Sequence, residues 1–539
     1  MRAFALLLDA LSTHQGRTDK LGLMLDYFRA TPDPDRGWAL AALTDGVPVH
    51  VPFRRVLSNL MAERVDPVLY KLSRDYVGDT AETVALLWPE RAVGAEQAGV
   101  PSLSAIVSLL QTSSARDLGP VMARLLDQFD ATERWAFLKF VGGALRVGVS
   151  ARLAKTALAM LGHHDVGEIE EVWHALKPPF AGLFQWLDGG GERPMTTGVP
   201  VFRPLMLATP VEEQDWPKLE ASEFAAEWKW DGIRVQIAAT HQGVLIFSRT
   251  GDDISRAFPE LSQAFAGRDV TVDGELLVRR EGVVRPFNDL QQRLNRKIVS
   301  AKLLAAHPAH VRLYDLLLVD GQDLRPLPFV QRRLRLEAWF AEMPPALTDL
   351  SEMIAFESFD QLRHLHGDAR AASIEGLMLK RRGSPYLAGR PKGHWFKWKR
   401  TPLTLDCVLM YAQRGSGKRS SLYSDYTFGV WLRTDAGGLE LVPVGKAYSG
   451  FTDAELKLVD SFIRQNTVET FGPVRAVKPE LVLEVAFDAV QRSSRHKSGV
   501  AMRFPRIHRI RWDKPAAEAD TLDTILGLIA ADGSADASA

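Results

Sequence analysis

"AEWKWDGIRVQ", residues 226–236, sets three charged side chains against two tryptophans. Residues two apart share a face in a strand, so Glu227, Lys229 and Asp231 should project together while Trp228 and Trp230 point the other way. The rings would anchor in a core and hold the charges over a cleft, with Gly232 at the turn that follows. Taken alone, the pattern also describes an amphipathic edge strand with a solvated charged face. The choice rests on whether the rest of the chain supplies partners for a lysine held out in this way.

Four further stretches do. "FSRTGD" offers Arg249 at a strand end, and "VDGELLV" puts Asp273 and Glu275 on one face. "IEGLMLKRRG" carries Glu375 in an otherwise apolar strand that ends at Lys380. "HWFKWKR" repeats the opening alternation, with Lys397 and Lys399 on one face and Phe396 and Trp398 on the other. A carboxylate on the buried side of a strand is costly unless it is paired or bound to metal. Each stretch alone is explained by a salt-bridged surface. Together they describe a site for a metal-bound polyphosphate. A lysine held among other cations is then a candidate nucleophile.

The remaining sequence bounds the setting. At 539 residues the chain should hold three or four domains, taking about 150 residues for each. Its hydrophobic content of 46% and charged content of 24% are ordinary for globular protein. One cysteine, Cys407, excludes an internal disulfide and any cysteine-rich zinc module, and suits a reducing compartment. Phe4, Leu7, Leu8 and Leu11 have helical spacing, which reads as a packed helix rather than a signal peptide, and no apolar stretch approaches a bilayer span. The 66 basic and 66 acidic residues cancel, so a nucleic-acid surface must come from local clustering.

Up to about residue 187 the apolar residues recur at three- and four-residue intervals, as in "DKLGLMLDYFRA" and "TERWAFLKFVGGALRVG". "DGGGERPMTTGVPVFRP", residues 188–204, reads as a linker. Hairpin patterns follow in "RVQIAATHQGVLIFSR" and "DVTVDGELLVRREGVVRPF", with "NDLQQRLNRK" and "FVQRRLRLEAWF" as helices between strands. After Thr401-Pro402, short strands around the helix "DAELKLVDSFIRQN" suit a small β-barrel, and "ADGSADASA" reads as a disordered tail. "QRGSGKRSS" fails as a phosphate-binding loop, because Arg419 stands where a magnesium-binding Ser or Thr belongs. Eight basic and no acidic residues lie between Lys380 and Arg400. "QRSSRHKSG" and "RFPRIHRIR" are as one-sided, and contact with a phosphate backbone explains such runs economically.

Lys229-Trp-Asp231-Gly232 fits the KxDG signature of the covalent nucleotidyltransferases, and the order of the other motifs fits too. Over nearly its whole length the chain resembles ATP-dependent DNA ligases of the bacterial three-domain repair type. "RFPRIHRIRWDK", residues 503–514, resembles the last ligase motif, and "GALRVGVS", residues 143–150, resembles a segment of the DNA-binding domain of larger ligases. The resemblance implies a multidomain α+β protein. Residues 1–200 would form an all-helical DNA-binding domain, 201–400 an α+β, ATP-grasp-like nucleotidyltransferase domain, and 401–539 an OB-fold β-barrel with a disordered tail. Lys229 would carry AMP, drawn from ATP with Mg2+, and pass it to the 5′-phosphate of a nick in duplex DNA.

By the same resemblance Glu227 would contact the adenine and Tyr314 stack on it, while Arg234 and Arg249 would meet the ribose and phosphates. Glu275 and Glu375 would serve the metal. Lys397 and Lys399 would hold the α-phosphate, assisted by Arg390 or Lys380. Arg390 lies one residue further from Lys397 than the family spacing. Arg503, Arg506, Arg511 and Lys514 belong to the last motif. The implied setting is a monomer in the bacterial cytoplasm, at the nucleoid when on DNA, beside a repair helicase and nuclease and away from membranes. The alternatives are an RNA ligase or capping-type nucleotidyltransferase, and a DNA-binding scaffold with a silent site.

Overall fold

The computed structural model describes residues 1–14, 16–49, 51–89, 99–143, 145–196, 198–294, 296, 299–368, 374–415, 423–434, 437–448, 450–493 and 496–531. They fall into two compact units. One comprises residues 1–14, 47–148 and 401–539, the other 15–46 and 149–400. No described helix is long and apolar enough to cross a membrane.

Helical periodicity in the N-terminal third is realised as helices. In the first unit, Phe4, Leu7, Leu8 and Leu11 of helix Arg2–Thr13 are buried, and the Phe4 ring meets Phe140 edge-on. Helix Ala131–Gly142 starts at a reciprocal cap, in which the Asp130 carboxylate accepts the Glu133 N–H and Glu133 reaches back to Asp130 N. It stops at Gly143, whose φ of 69° lies in the left-handed region. Residues 143 and 145–148 of "GALRVG" are therefore outside the helix that its spacing suggested, with Arg146 at φ 52°.

The second unit holds helices Arg17–Ala30, Asp35–Leu43, Ala151–Gly162, Val166–Trp173 and Ala181–Leu187, and two sheets. Its strands are β1 (Thr209–Pro210), β2 (Phe224–Trp230), β3 (Ile233–Thr240), β4 (Gly243–Ser248), β5 (Val270–Arg280), β6 (Val283–Val284), β7 (Ala309–Val319), β8 (Gln322–Asp323), β9 (Thr348–Leu350), β10 (Met353–Ile354), β11 (Ile374–Arg381) and β12 (Trp395–Lys399). The first sheet runs β1-β12-β11-β2-β10; the second runs β4-β3-β5-β7-β8, with β6 on β5 and β9 on β7. Both expected hairpins form, β3–β4 and β5–β6. "FVQRRLRLEAWF" is helical within Phe329–Glu342. "NDLQQRLNRK" gives only the short helix Phe287–Gln291, and part of that stretch lies outside the described residues.

Alternation decides which side chains make the cores. Phe224, Ala226, Leu377, Leu379 and Phe396 bury one face of the first sheet against Leu362, with Trp228 and Trp398 packed at the margin. On the other face Ala225 and Trp395 meet Leu317 of β7, Phe329, Tyr386 and Met206, so the two sheets share a core. The second sheet packs Val235, Ile237, Val272, Leu276, Val311 and Leu313 against Leu261 and Leu336 of its helices.

Beyond residue 400, in the first unit, strands β13 (Leu403–Arg414), β14 (Tyr423–Arg433), β15 (Leu439–Ala447), β16 (Thr467–Phe471), β17 (Val474–Val477), β18 (Val482–Phe487) and β21 (Arg506–Arg511) form one sheet; β19 (Ala489–Arg492) and β20 (Val500–Arg503) form a separate pair. Helix Asp453–Gln465 contributes Val459 and Ile463 to the core. The expected closed barrel is an open, branched sheet among the described residues, because β13 pairs with β14 and β17 over one half and with β18 over the other. "QRGSGKRSS" and "ADGSADASA" fall mostly outside the described residues.

Candidate active site

Lys229 lies on β2, with Trp230 between it and the turn of Asp231 and Gly232. Gly232 leads into β3, and a Cβ there would stand 2.5 Å from the Leu276 carbonyl oxygen and 2.8 Å from Glu275 Cγ. The missing side chain lets β5 press against the turn and brings Glu275 to the lysine.

Glu375 reaches Lys229 by breaking the alternation of β11. The ladder between β11 and β2 pairs Ile374 with Trp230 and then Gly376 with Lys229, a register shift centred on Glu375. The bulge turns the carboxylate onto the Lys229 face, as bulges re-aim side chains elsewhere. Gly376 accommodates it at φ 145°, where a Cβ would meet the Trp398 oxygen at 2.1 Å. Lys229 Nζ donates to Glu375 Oε2, and Lys399 Nζ stands 3.9 Å from the same oxygen. Burial would raise the Glu375 carboxyl, but the Lys229 ammonium against it holds it below the usual range.

Cations flank this pair on β12. Burial pushes the Lys397 ammonium down, and Lys399, Arg390, Arg249 and Lys229 add repulsion in that order. Five of the cations expected from the sequence therefore meet at Lys397. Arg390 and Arg249 reach it from exposed loop positions.

The second sheet supplies the facing wall. Burial pushes the Glu275 carboxyl up to about 7, with Lys229 and Arg234 opposing and Glu375 and Asp231 reinforcing. Arg234 is fixed from three sides. It donates to the Met206 carbonyl at 2.6 Å, to Asp273 Oδ2 at 2.6 Å and to the Tyr386 hydroxyl at 3.0 Å. Tyr386 in turn donates to Asp273. Asp273 was read only as a neighbour of Glu275; it is the fully buried anchor of Arg234. Tyr386 carried no sequence signal, because it meets Asp273 across 113 residues of chain.

Glu227 and Lys380 are placed differently from the rest. Both are 2% exposed, with Lys380 Nζ 2.5 Å from Glu227 Oε2 and Arg333 Nη1 3.4 Å from Oε1. Lys380 also sits 4.4 Å from the centroid of the Tyr314 ring. Burial pushes the Glu227 carboxyl up and the Lys380 ammonium down, each opposed by the other's charge. Lys380 is thus a partner of Glu227 beside the Tyr314 ring. Arg333, from helix Phe329–Glu342, was not foreseen.

In the C-terminal sheet Arg511 and Lys514 share Asp406 Oδ2 at 3.1 and 2.8 Å, while Arg506 pairs with Asp488 at 3.3 Å. Arg503 ends β20 with its guanidinium over the Phe504 ring.

Glu375 and Asp231 both repel the Glu275 carboxylate, which a divalent cation would relieve. Among the described residues no three ligating side chains form a ready-made cage. That arrangement fits Mg2+, which takes one or two carboxylates and completes its shell with water and substrate phosphates.

Residues 205–399 match the family model described as "ATP dependent DNA ligase domain", and residues 419–514 the one described as "ATP dependent DNA ligase C terminal region". A "Probable DNA ligase" from Koribacter versatilis is 36% identical over 428 residues, covering 75% of this chain and 73% of that protein. A "Probable DNA ligase" from Anaeromyxobacter is 34% identical over 436 residues, covering 79% and 82%. The solved structure described as "Pmar-Lig_Pre." superposes with a TM-score of 0.59 at 17% identity, covering 94% of this chain and 99% of that one, a likeness of fold.

Proposed function

The chain belongs to the ATP-dependent DNA ligases, and from that premise we propose how its residues divide the work of sealing a nick. The family joins a 5′-phosphate to a 3′-hydroxyl in duplex DNA through an enzyme-bound adenylate, using ATP and a divalent metal. In this chain Lys229 Nζ attacks the α-phosphorus of ATP. A proton of the Lys229 ammonium passes through the Glu375 carboxylate to which it donates and on to solvent, and the freed amine forms the N–P bond as the bond to pyrophosphate breaks. The AMP then passes to the 5′-phosphate, freeing Lys229, and the 3′-hydroxyl displaces AMP as the new phosphodiester forms.

The observation that carries this reading is the placement of Lys229 against Glu375 and near Glu275 and Lys397, with Lys399, Arg390 and Arg249 also acting on Lys397. Fixed cations aimed at a transferring phosphoryl group stabilise its transition state without reorganising. Lys397 and Lys399 take the α-phosphate, and Arg249 and Arg390 the phosphates beyond it. Arg234 meets the ribose, and Tyr314 stacks on the adenine. Glu227, oriented by Lys380 and Arg333, accepts from the adenine amine. Glu275 and Glu375 hold the metal, which supplies charge neutralisation on the phosphates.

Residues 1–200 grip the duplex, 201–400 perform the chemistry, and 401–539, as an OB-fold, bring Arg503, Arg506, Arg511 and Lys514 to the pyrophosphate. The enzyme acts as a monomer in bacterial DNA repair, on chromosomal DNA in the cytoplasm, with a helicase and a nuclease as partners by family likeness. Incubation with ATP labelled at the α-phosphate tests the core of this. Label on Lys229 that survives alkali and is lost in acid, as a P–N bond requires, supports it, and absence of label, or label from GTP in preference to ATP, refutes it.

A further inference from the structure

Besides the turn at Asp231 and Gly232, which joins β2 to β3, a second short segment crosses between the two sheets of the catalytic unit. β9 lies on β7 of the second sheet, with Asp349 opposite Arg312. Two residues beyond its end the chain enters β10, which pairs with β2 of the first sheet and sets Met353 opposite Glu227.

A charged cluster sits at this seam. Arg312 donates from Nε and Nη2 to the two oxygens of Asp349 at 2.8 and 2.6 Å, a parallel pair of bonds that fixes the guanidinium plane. His310 Nε2 and Arg279 Nη1 stand 3.1 and 3.4 Å from Asp349 Oδ2. The locked guanidinium then lies over the indole of Trp230, 4.2 Å from its ring centroid, well inside the range of a cation–π contact. Trp230 is the residue between Lys229 and Asp231. Arg312 is also the ladder partner of Glu275. One side chain therefore ties the ladder position of the metal-holding carboxylate on one sheet to the immediate neighbour of the nucleophile on the other.

We propose that Arg312, locked by Asp349, is a positioning residue that clamps Trp230 and so sets the separation between Lys229 on the first sheet and Glu275 on the second. The clamp governs the rate of AMP transfer to Lys229 and not the affinity for ATP. This rests on Lys229 being the adenylated residue. A packing role alone would not separate the two quantities, because the nucleotide contacts lie on both sheets and loosening the fold would weaken binding as well. A displacement of about 1 Å at reacting atoms is enough to cost on the order of a hundredfold in rate.

The test uses the full chain and single-turnover labelling with α-labelled ATP across a range of ATP concentrations. Arg312→Met, which keeps an apolar stem on the ring, should lower the maximal labelling rate about tenfold or more and leave the half-saturating ATP within about twofold. Trp230→Leu combined with Arg312→Met should lose little beyond either change alone, since both break one contact. Arg312→Lys, with a cation but no paired bonds to Asp349, should fall between parent and Arg312→Met. It also serves as the decisive variant should Arg312→Met fail to give a normal melting transition. A folded Arg312→Lys at the parental rate overturns the clamp. So does a rise in half-saturating ATP that matches the loss of rate, or full additivity with Trp230→Leu. A parent protein that takes no label refutes the Lys229 reading instead.

Discussion

Glu275→Gln should make this protein more stable and less active, with the stability gain confined to neutral and alkaline pH. The Glu275 carboxyl is raised from 4.5 to about 7, with burial the largest cause. A group whose folded pKa lies above its unfolded one contributes stability that is complete below the unfolded value and lost as pH climbs through the folded one. Here the loss begins above 4.5 and is complete above about 7. At 1.36 kcal/mol for each unit, the ionised carboxylate costs the fold at most about 3 kcal/mol at pH 8.5. Glutamine keeps the shape and removes the charge. For a unit of this size roughly 2 °C of melting temperature corresponds to each kcal/mol, so a rise of up to about 6 °C is expected at pH 8.5. None is expected near pH 4.5, where parent and variant are both neutral at this position. The assay is thermal melting of both proteins in chelator at the two pH values, alongside AMP loading with Mg2+. Loading should fall on the order of a hundredfold, as for loss of a charge contact made in the transition state. Equal melting temperatures at pH 8.5, or the same gain at both pH values, would refute the reasoning.

Three further substitutions probe other parts of the site. Lys229→Ala should abolish covalent AMP at every pH while leaving nicked-duplex binding intact; residual lysine-type label would identify a different nucleophile. Gly376→Ala places a Cβ 2.1 Å from the Trp398 oxygen at a φ of 145°, so β11 and β12 must part. A loss of about 1–3 kcal/mol should accompany slower AMP loading, and a parental melting curve would show that the bulge is not constrained. Arg511→Ala with Lys514→Ala should reduce AMP loading on the order of a hundredfold and largely spare sealing of a nick that already carries AMP. Because both cations pair with Asp406, melting is measured alongside, and equal loss in the two reactions would favour plain DNA contact.

The parts of the fold that the sequence foretold are those governed by local periodicity. Helical spacing placed Phe4, Leu7, Leu8 and Leu11 in a core, and strict alternation gave the β3–β4 hairpin and the charged faces of β2 and β12. The misreadings occur where a local rule is interrupted or where charge is settled at long range. Trp230, read as a core anchor from its alternation with Trp228, instead lies under the Arg312 guanidinium, contributed from 82 residues along the chain. Lys380, read as a phosphate-side cation from its strand-end position, is buried against Glu227.

Glu375 shows how the sequence could point to a residue of the candidate site. Strict alternation would put its carboxylate on the face opposite Lys229, among Leu377 and Leu379. The sequence flagged it because an acid in an apolar strand needs a partner, and that argument holds whichever way the side chain points. The bulge supplies the direction, and Gly376 is the only local trace of it. Composition can thus identify which groups must be satisfied, while the fold decides how. The proposed nucleophile Lys229 and the carboxylates around it fall in the first class, and their separation across two sheets, on which the proposed clamp acts, falls in the second.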